Sequence, residues 1–194
     1  MAEYKVFEDN IEALGGGVMA FLTDAAGKTY RENVLKKHGV YPPDADAWYD
    51  LQSFLNAFKE LGDNIGGMTL FQIGKYVTEK SPFPPMKDLE EALHSINVAY
   101  HMNHRKHGKP MFDPETGQMT SGIGEYKILK YDAEAKRAMI WSNSPYPSKF
   151  EEGIITQVTR MFKPQGSIRV SVKLDETKET RKSGGESNTY IINW

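Results

Sequence analysis

The chain has 194 residues, 26% of them charged and 39% hydrophobic, with a formal net charge of −2 and a sequence pI near 6.2. That length suits one domain with a real core, while the charge balance excludes the basic face of a nucleic-acid binder, and no apolar run reaches the roughly 18–20 residues that cross a bilayer. Cysteine is absent, which removes disulfides, thiolate nucleophiles, iron–sulfur clusters and cysteine-bound zinc in one step.

Residues 1–17 open without a charged-then-apolar signal sequence, so the expected compartment is the cytoplasm. They end in Gly15-Gly16-Gly17, either a flexible lead-in or a short strand and hinge; no lysine with serine or threonine follows at the spacing of a nucleotide loop. A single domain is expected over 18–194. Val18 to His38 predicts a helix with a loose turn near Gly27, and Pro42-Pro43 forces an extended connector. Asp46 is placed to cap a second helix carrying Trp48, Leu51, Phe54, Leu55, Phe58 and Leu61 on one stripe. A third helix spans about Thr69 to Lys80, with Leu70, Phe71, Ile73, Gly74 and Val77 on its apolar face. Ser81-Pro82-Phe83-Pro84-Pro85 is a rigid bridge. A fourth helix is predicted from Lys87 to Arg105, with His94, Val98 and His101 on a stripe beside the apolar one. These elements form the helical layer, 18–106.

An exposed loop follows over 107–121. The remainder, 122–194, predicts strands Glu125–Tyr131 and Ala138–Ser142, a helix opening at Ser148, a strand Ile168–Leu174, a charged loop 175–187 and a last strand Thr189–Trp194. The helix carries the capping box Ser148-Lys149-Phe150-Glu151, buries Ile154, Ile155, Val158, Met161 and Phe162 on one face, and stops at Pro164 and Gly166. The predicted class is α+β, an N-terminal helical layer packed on a C-terminal antiparallel sheet with one central helix.

Four of the five histidines lie between His94 and His107. His101, His104 and His107 have a spacing that could ligate one metal, but Arg105 and Lys106 among them favour a solvated helix end, where imidazole complements the dipole. His94 sits mid-helix among apolar residues and is open to three roles: core histidine, polar anchor of a ligand pocket, or axial ligand of heme. Adjacent carboxylates such as Glu90-Glu91 and Glu151-Glu152 point apart on a helix and are expected on the surface. Ser142 and Ser144 have no histidine–aspartate partner motif, and no nucleophile elbow, nucleotide loop or paired-acid site is present, so an enzyme is the less favoured class.

Phe150-Glu151-Glu152-Gly153-Ile154-Ile155, followed by Arg181-Lys182-Ser183-Gly184-Gly185-Glu186-Ser187-Asn188-Thr189-Tyr190, resembles the 4-vinyl reductase domain family. That family belongs to the fold group of heme-nitric-oxide-binding domains and vesicle-tethering transport-particle subunits. The resemblance covers about 18–194 in element order and 120–194 in motif. It implies an α+β domain with a ligand cavity between helices and sheet. Sensor-type members hold zinc mainly through cysteines, at positions that match Ser148, Thr180 and Asn188 here; the joint loss of all three thiols argues against zinc. By resemblance to the aromatic-effector sensors, His94 and Trp141 would hold a polar group of the ligand. Heme members use a helix histidine, again nearest His94, and a Tyr-x-Ser-x-Arg motif for the propionates. The matching stretch Trp141-Ser142-Asn143-Ser144-Pro145 has no arginine.

The function expected is a sensor or carrier domain for a small hydrophobic or aromatic molecule, with His94, Trp141, Phe71, Val98, Tyr100 and His101 as candidate ligand contacts. The alternatives are a heme or other tetrapyrrole protein with His94 as axial ligand, and a ligand-free dimeric interaction module; a vinyl reductase lacks a visible site for its hydride donor. Signalling would pass to a separate partner chain.

Overall fold

The computed structural model describes residues 3–194, which build six α-helices and eight strands in two antiparallel four-stranded sheets. The opening segment is the strand of the two alternatives. Ile11–Leu14 (β1) pairs with Trp48–Asp50 (β2) on one side and His104–Lys106 (β3) on the other, and Lys109–Pro110 (β4) lies at the edge. The first glycine after it is packed: the Gly15 N–H donates to the Ala47 carbonyl at 2.8 Å. A Cβ there would stand 1.8 Å from the Asp44 carbonyl oxygen, so the close approach requires glycine.

The helix predicted over 18–38 is two, Gly16–Ala20 (α1) and Lys28–Lys37 (α2). The buried Arg31 guanidinium closes the turn between them by donating to the carbonyls of Phe21, Asp24 and Ala26. Leu51–Ile65 (α3) starts later than expected because 48–50 is claimed by the sheet, and its cap is Asp50, whose Oδ2 accepts the Ser53 N–H at 2.7 Å. Gly67–Lys80 (α4) matches its prediction. Leu89–Met102 (α5) is shorter than predicted at both ends; Asp88 caps it through the Glu91 N–H at 2.9 Å, and the chain then turns into β3.

Over 107–121 the expected loop contains β4 and an isolated bridge, Phe112 to Met119. Tyr126–Asp132 (β5), Arg137–Ser142 (β6), Ser171–Leu174 (β7) and Asn188–Asn193 (β8) form the second sheet in the order β5-β6-β8-β7. β7 begins at Ser171 rather than at Ile168, which is 98% exposed.

Ser148–Phe162 (α6) packs on this sheet and against α4. The helices meet at glycines: a Cβ on Gly74 would lie 2.1 Å from the Phe150 carbonyl oxygen, and one on Gly153 equally close to that of Phe71. Between the helices Phe21, Phe58 and Phe150 stack edge to face, with centroids 4.7 Å apart in each successive pair. Three expectations for α6 fail. The residue ahead of the helix is Pro147 and no side chain caps it; Glu151 is not a surface carboxylate but fully buried, turned toward the sheet. Met161 is exposed, so the buried stripe ends at Val158. Among the described residues no helix is long and apolar enough to cross a membrane.

Candidate functional site

The helical layer leaves a cavity of about 310 Å³ between α4, α5, α6 and the Pro-rich bridge at 81–86. Val77, Phe83, Val98, Ile154 and Val158 form apolar walls, and no Asp, Glu, Lys or Arg side chain lines it. At its inner end stand Tyr100, His104, Tyr126 and Tyr146, all buried.

Of the six residues expected at a ligand site, Val98 and Tyr100 line this cavity and the other four stand elsewhere. His94 is exposed: it lies two residues from both buried Ala92 and buried Ile96, about 200° round the helix from each. Trp141 is half-buried on the sheet face opposite to buried Ile140 and Ser142, with Lys127 Nζ 5.5 Å from its ring centre. Phe71 is half-buried at the α4–α6 crossing, where its backbone meets Gly153. His101 is buried but outside the lining, its Nδ1 bonded to the Asn97 carbonyl at 2.9 Å.

His104 is the histidine that the fold delivers to the cavity. It sits first on β3, opposite Ala13, and is 3% exposed. Its Nδ1 lies 2.6 Å from the Tyr100 carbonyl and its Nε2 2.9 Å from the Tyr146 hydroxyl. A carbonyl only accepts, so Nδ1 carries the proton and Nε2 accepts from the phenol. Burial, with a smaller contribution from nearby His101, brings its pKa down to about 4 against the Tyr100 hydrogen bond. The ring is therefore neutral at pH 7. Burial also holds the phenols of Tyr100, Tyr126 and Tyr146 above their ordinary value, so each keeps its proton.

Behind the cavity lies a second polar system centred on Glu151. Its Oε1 accepts from Ser142 Oγ at 2.5 Å and Ser144 Oγ at 2.7 Å; its Oε2 accepts from Tyr190 OH at 2.6 Å and Asn188 Nδ2 at 3.0 Å. Four donors round one carboxylate is the complement of an acceptor-only group, which is why this residue tolerates complete burial. Ser144 joins the two systems, since its Oγ lies 3.4 Å from the Tyr126 hydroxyl. Arg181, also buried, donates to the carbonyls of Asn143 and Glu186; burial lowers its pKa, opposed by Glu151 and Glu3.

The three positions matched to zinc cysteines have hydrogen-bonding roles. Asn188 Oδ1 accepts the Arg181 N–H at 3.0 Å, Thr180 Oγ1 meets Ser183 Oγ at 2.8 Å, and the Ser148 N–H donates to Glu3 Oε1 at 2.8 Å. Among the described residues no group of three His, Asp or Glu side chains is placed to hold a metal. The spaced triplet does not converge, because His107 follows β3 in a turn with φ +49°.

Sequence reasoning missed His104, Tyr126, Tyr146 and Glu151. The available signals were the inward phase of a strand beginning at His104 and an aromatic between two prolines, Pro145-Tyr146-Pro147.

No family model and no curated protein matches the chain, but solved structures do. A point mutant of the T. tengcongensis H-NOX superposes with a TM-score of 0.59 at 13% identity, over 91% of this chain and 94% of that one. An oxygen-binding H-NOX domain related to soluble guanylate cyclases gives 0.54 at 16%, over 92% and 91%. The Shewanella woodyi H-NOX in its Fe(II)CO state gives 0.51 at 16%, over 91% and 90%. Helices packed on antiparallel sheet give this chain the α+β architecture of the H-NOX fold.

Proposed function

We propose that this chain is a small-molecule-binding domain, a sensor or carrier, that holds a largely apolar ligand between its helices and sheet. One observation carries the reading: an uncharged cavity of about 310 Å³ ends on a neutral, fully oriented His104–Tyr146 pair. Apolar walls with few convergent polar groups are what small-molecule sites have in common, and pockets for such ligands begin at about 300 Å³. The 4-vinyl reductase resemblance, carried by the motifs around Phe150 and Arg181, supports the same class. No catalytic step is proposed.

Heme is the second reading, because H-NOX relatives in fold bind heme and His104 has the outer-sphere arrangement of a metal-ligating imidazole, with Nδ1 held by a backbone carbonyl. The other residues do not fit. Nε2 is already taken by Tyr146, His94 is turned to solvent, and the lining offers no cation to the two propionates. A buried carboxylate without such a partner is costly. The apolar-ligand reading is therefore the better supported.

The test is titration with N-phenyl-1-naphthylamine, an uncharged fluorescent probe, beside titration with hemin. Enhanced fluorescence saturating at one probe per chain is expected, with no Soret band from a bound heme. Val98→Trp, which fills the cavity, should weaken the probe at least about tenfold while leaving the unfolding midpoint nearly unchanged. A stoichiometric Soret complex lost in His104→Ala would replace this reading with the second.

A further inference from the structure

The hydroxyl groups that line the cavity share a property that no single one reveals. Thr78 donates to the Gly74 carbonyl at 3.1 Å, and Ser81 and Ser95 to those of Val77 and Ala92 at 2.8 Å each. Tyr100 donates to the Ile123 carbonyl at 2.5 Å. Tyr146 donates to His104 Nε2, because the other ring nitrogen is committed to the Tyr100 carbonyl. Ser144 spends its proton on Glu151, so its lone pairs face Tyr126, which donates to it. The Asn103 amide, which keeps a spare N–H, is at the exposed mouth. Every hydroxyl proton in the lining is thus bonded to the protein, so that within the apolar walls these groups present oxygen lone pairs to the interior and no free donor.

We infer that this cavity selects uncharged, mostly apolar ligands that bring their own hydrogen-bond donor, an N–H or O–H, and discriminates against ligands whose only polar group is an acceptor or a carboxylate. A donor placed on the Tyr146 oxygen extends a chain running from ligand to Tyr146 to His104 to the Tyr100 carbonyl, in which each member donates once in the same direction. An acceptor placed there meets lone pairs and loses its water without replacement. A carboxylate meets the same lone pairs and no cation. The inference rests on the proposed ligand-binding reading and specifies its ligand class.

Three molecules of nearly one shape separate the possibilities: indole, which donates; indene, which does neither; and benzofuran, which only accepts. Displacement of N-phenyl-1-naphthylamine should rank indole about tenfold tighter than indene, with benzofuran no tighter than indene. Benzofuran binding as tightly as indole, or the three binding equally, would overturn the donor rule and leave the cavity reading standing. Failure of all three and of the probe would overturn that reading and the inference with it.

Two variants give the rule opposite signatures. His104→Leu removes the acceptor that holds the Tyr146 proton, so benzofuran should gain several-fold over indene. Tyr146→Phe leaves His104 Nε2 as a bare acceptor, so indole should keep its advantage and benzofuran gain nothing. A folded His104→Leu protein with an unchanged ranking, or a benzofuran gain in Tyr146→Phe, would overturn the assigned proton directions. Thermal unfolding by circular dichroism establishes that each variant is folded.

Discussion

Acidification should destabilise this protein through one imidazole. His104 titrates at about 4 in the folded chain, against an ordinary value of 6.5 once unfolded. Between those values the unfolded state binds more protons than the folded one, so stability rises with pH across the window and is flat above it. Lowering the pH from about 7.5 to about 5 protonates His104 almost completely in the unfolded chain and scarcely at all in the folded one, a loss of about 2 kcal/mol. The assay is urea unfolding at the two pH values for wild type and for His104→Leu, which carries no titrating group at this position. Glu3, whose carboxyl burial raises, contributes stability that is lost as pH rises and so acts in the opposite direction, but it is common to both proteins and cancels in their difference. The variant is expected to be the less stable protein near pH 7.5 and to close on wild type by about 2 kcal/mol near pH 5. A gap between the two proteins that stays constant within about 0.5 kcal/mol would show that His104 titrates alike in both states. The burial argument would then fail.

Gly74→Ala forces a methyl to within 2.1 Å of the Phe150 carbonyl, so α4 and α6 must separate; about 3 kcal/mol of stability should be lost, read from the urea midpoint. Glu151→Gln puts an amide N–H₂ among four donors and should cost about 3 kcal/mol in the same measurement. A loss below about 1 kcal/mol in either case would mean that the site relaxes more freely than its packing implies.

Local pattern carried much of the helical layer. The stripe from Leu51 to Leu61 is buried as its 3.6-residue spacing requires, and so are Leu70, Ile73 and Gly74 of the next one, while Phe71 and Val77 at its borders are half-buried. The expected strands coincide with β5, β6 and β8, but clean alternation of burial holds in β6 alone: β5 is irregular between Ile128 and Lys130, and β8 is buried on both faces at Asn188, Thr189 and Tyr190. What local pattern could not supply is pairing between distant segments. Arg105 and Lys106 argue from sequence for a solvated helix end, yet both are answered by the opening residues: Arg105 Nη2 meets Glu12 Oε1 at 2.7 Å, and Lys106 pairs with Glu8. Once β1 claims 104–106 as a strand, alternation turns His104 inward and Arg105 outward. His94, chosen for its apolar neighbours and by the resemblance, stands away from the cavity for a related reason. A lone histidine in an apolar helix has no local mark of phase, and the stripe through Leu93, Ile96 and Tyr100 left it outside.

Glu151 shows the same limit and explains the character of the cavity. By sequence it is half of an adjacent acidic pair or the third position of a capping box, both surface roles. Its actual role depends on Ser142, Ser144, Asn188 and Tyr190, drawn from β6, β8 and the loop ahead of α6. Because the carboxylate accepts the Ser144 proton, Ser144 must accept from Tyr126, and the cavity loses a donor it would otherwise display. In Glu151→Gln an amide facing Ser144 reverses that bond: Ser144 accepts from the glutamine and turns its own proton toward Tyr126, whose hydroxyl is then free to donate inward. Benzofuran should therefore gain in Glu151→Gln as it does in His104→Leu, although position 151 does not line the cavity. If the folded variant bound benzofuran no better than wild type does, the two polar systems would be adjacent without being coupled. Ser144 would then be a neighbour of the site and not the residue that sets its polarity.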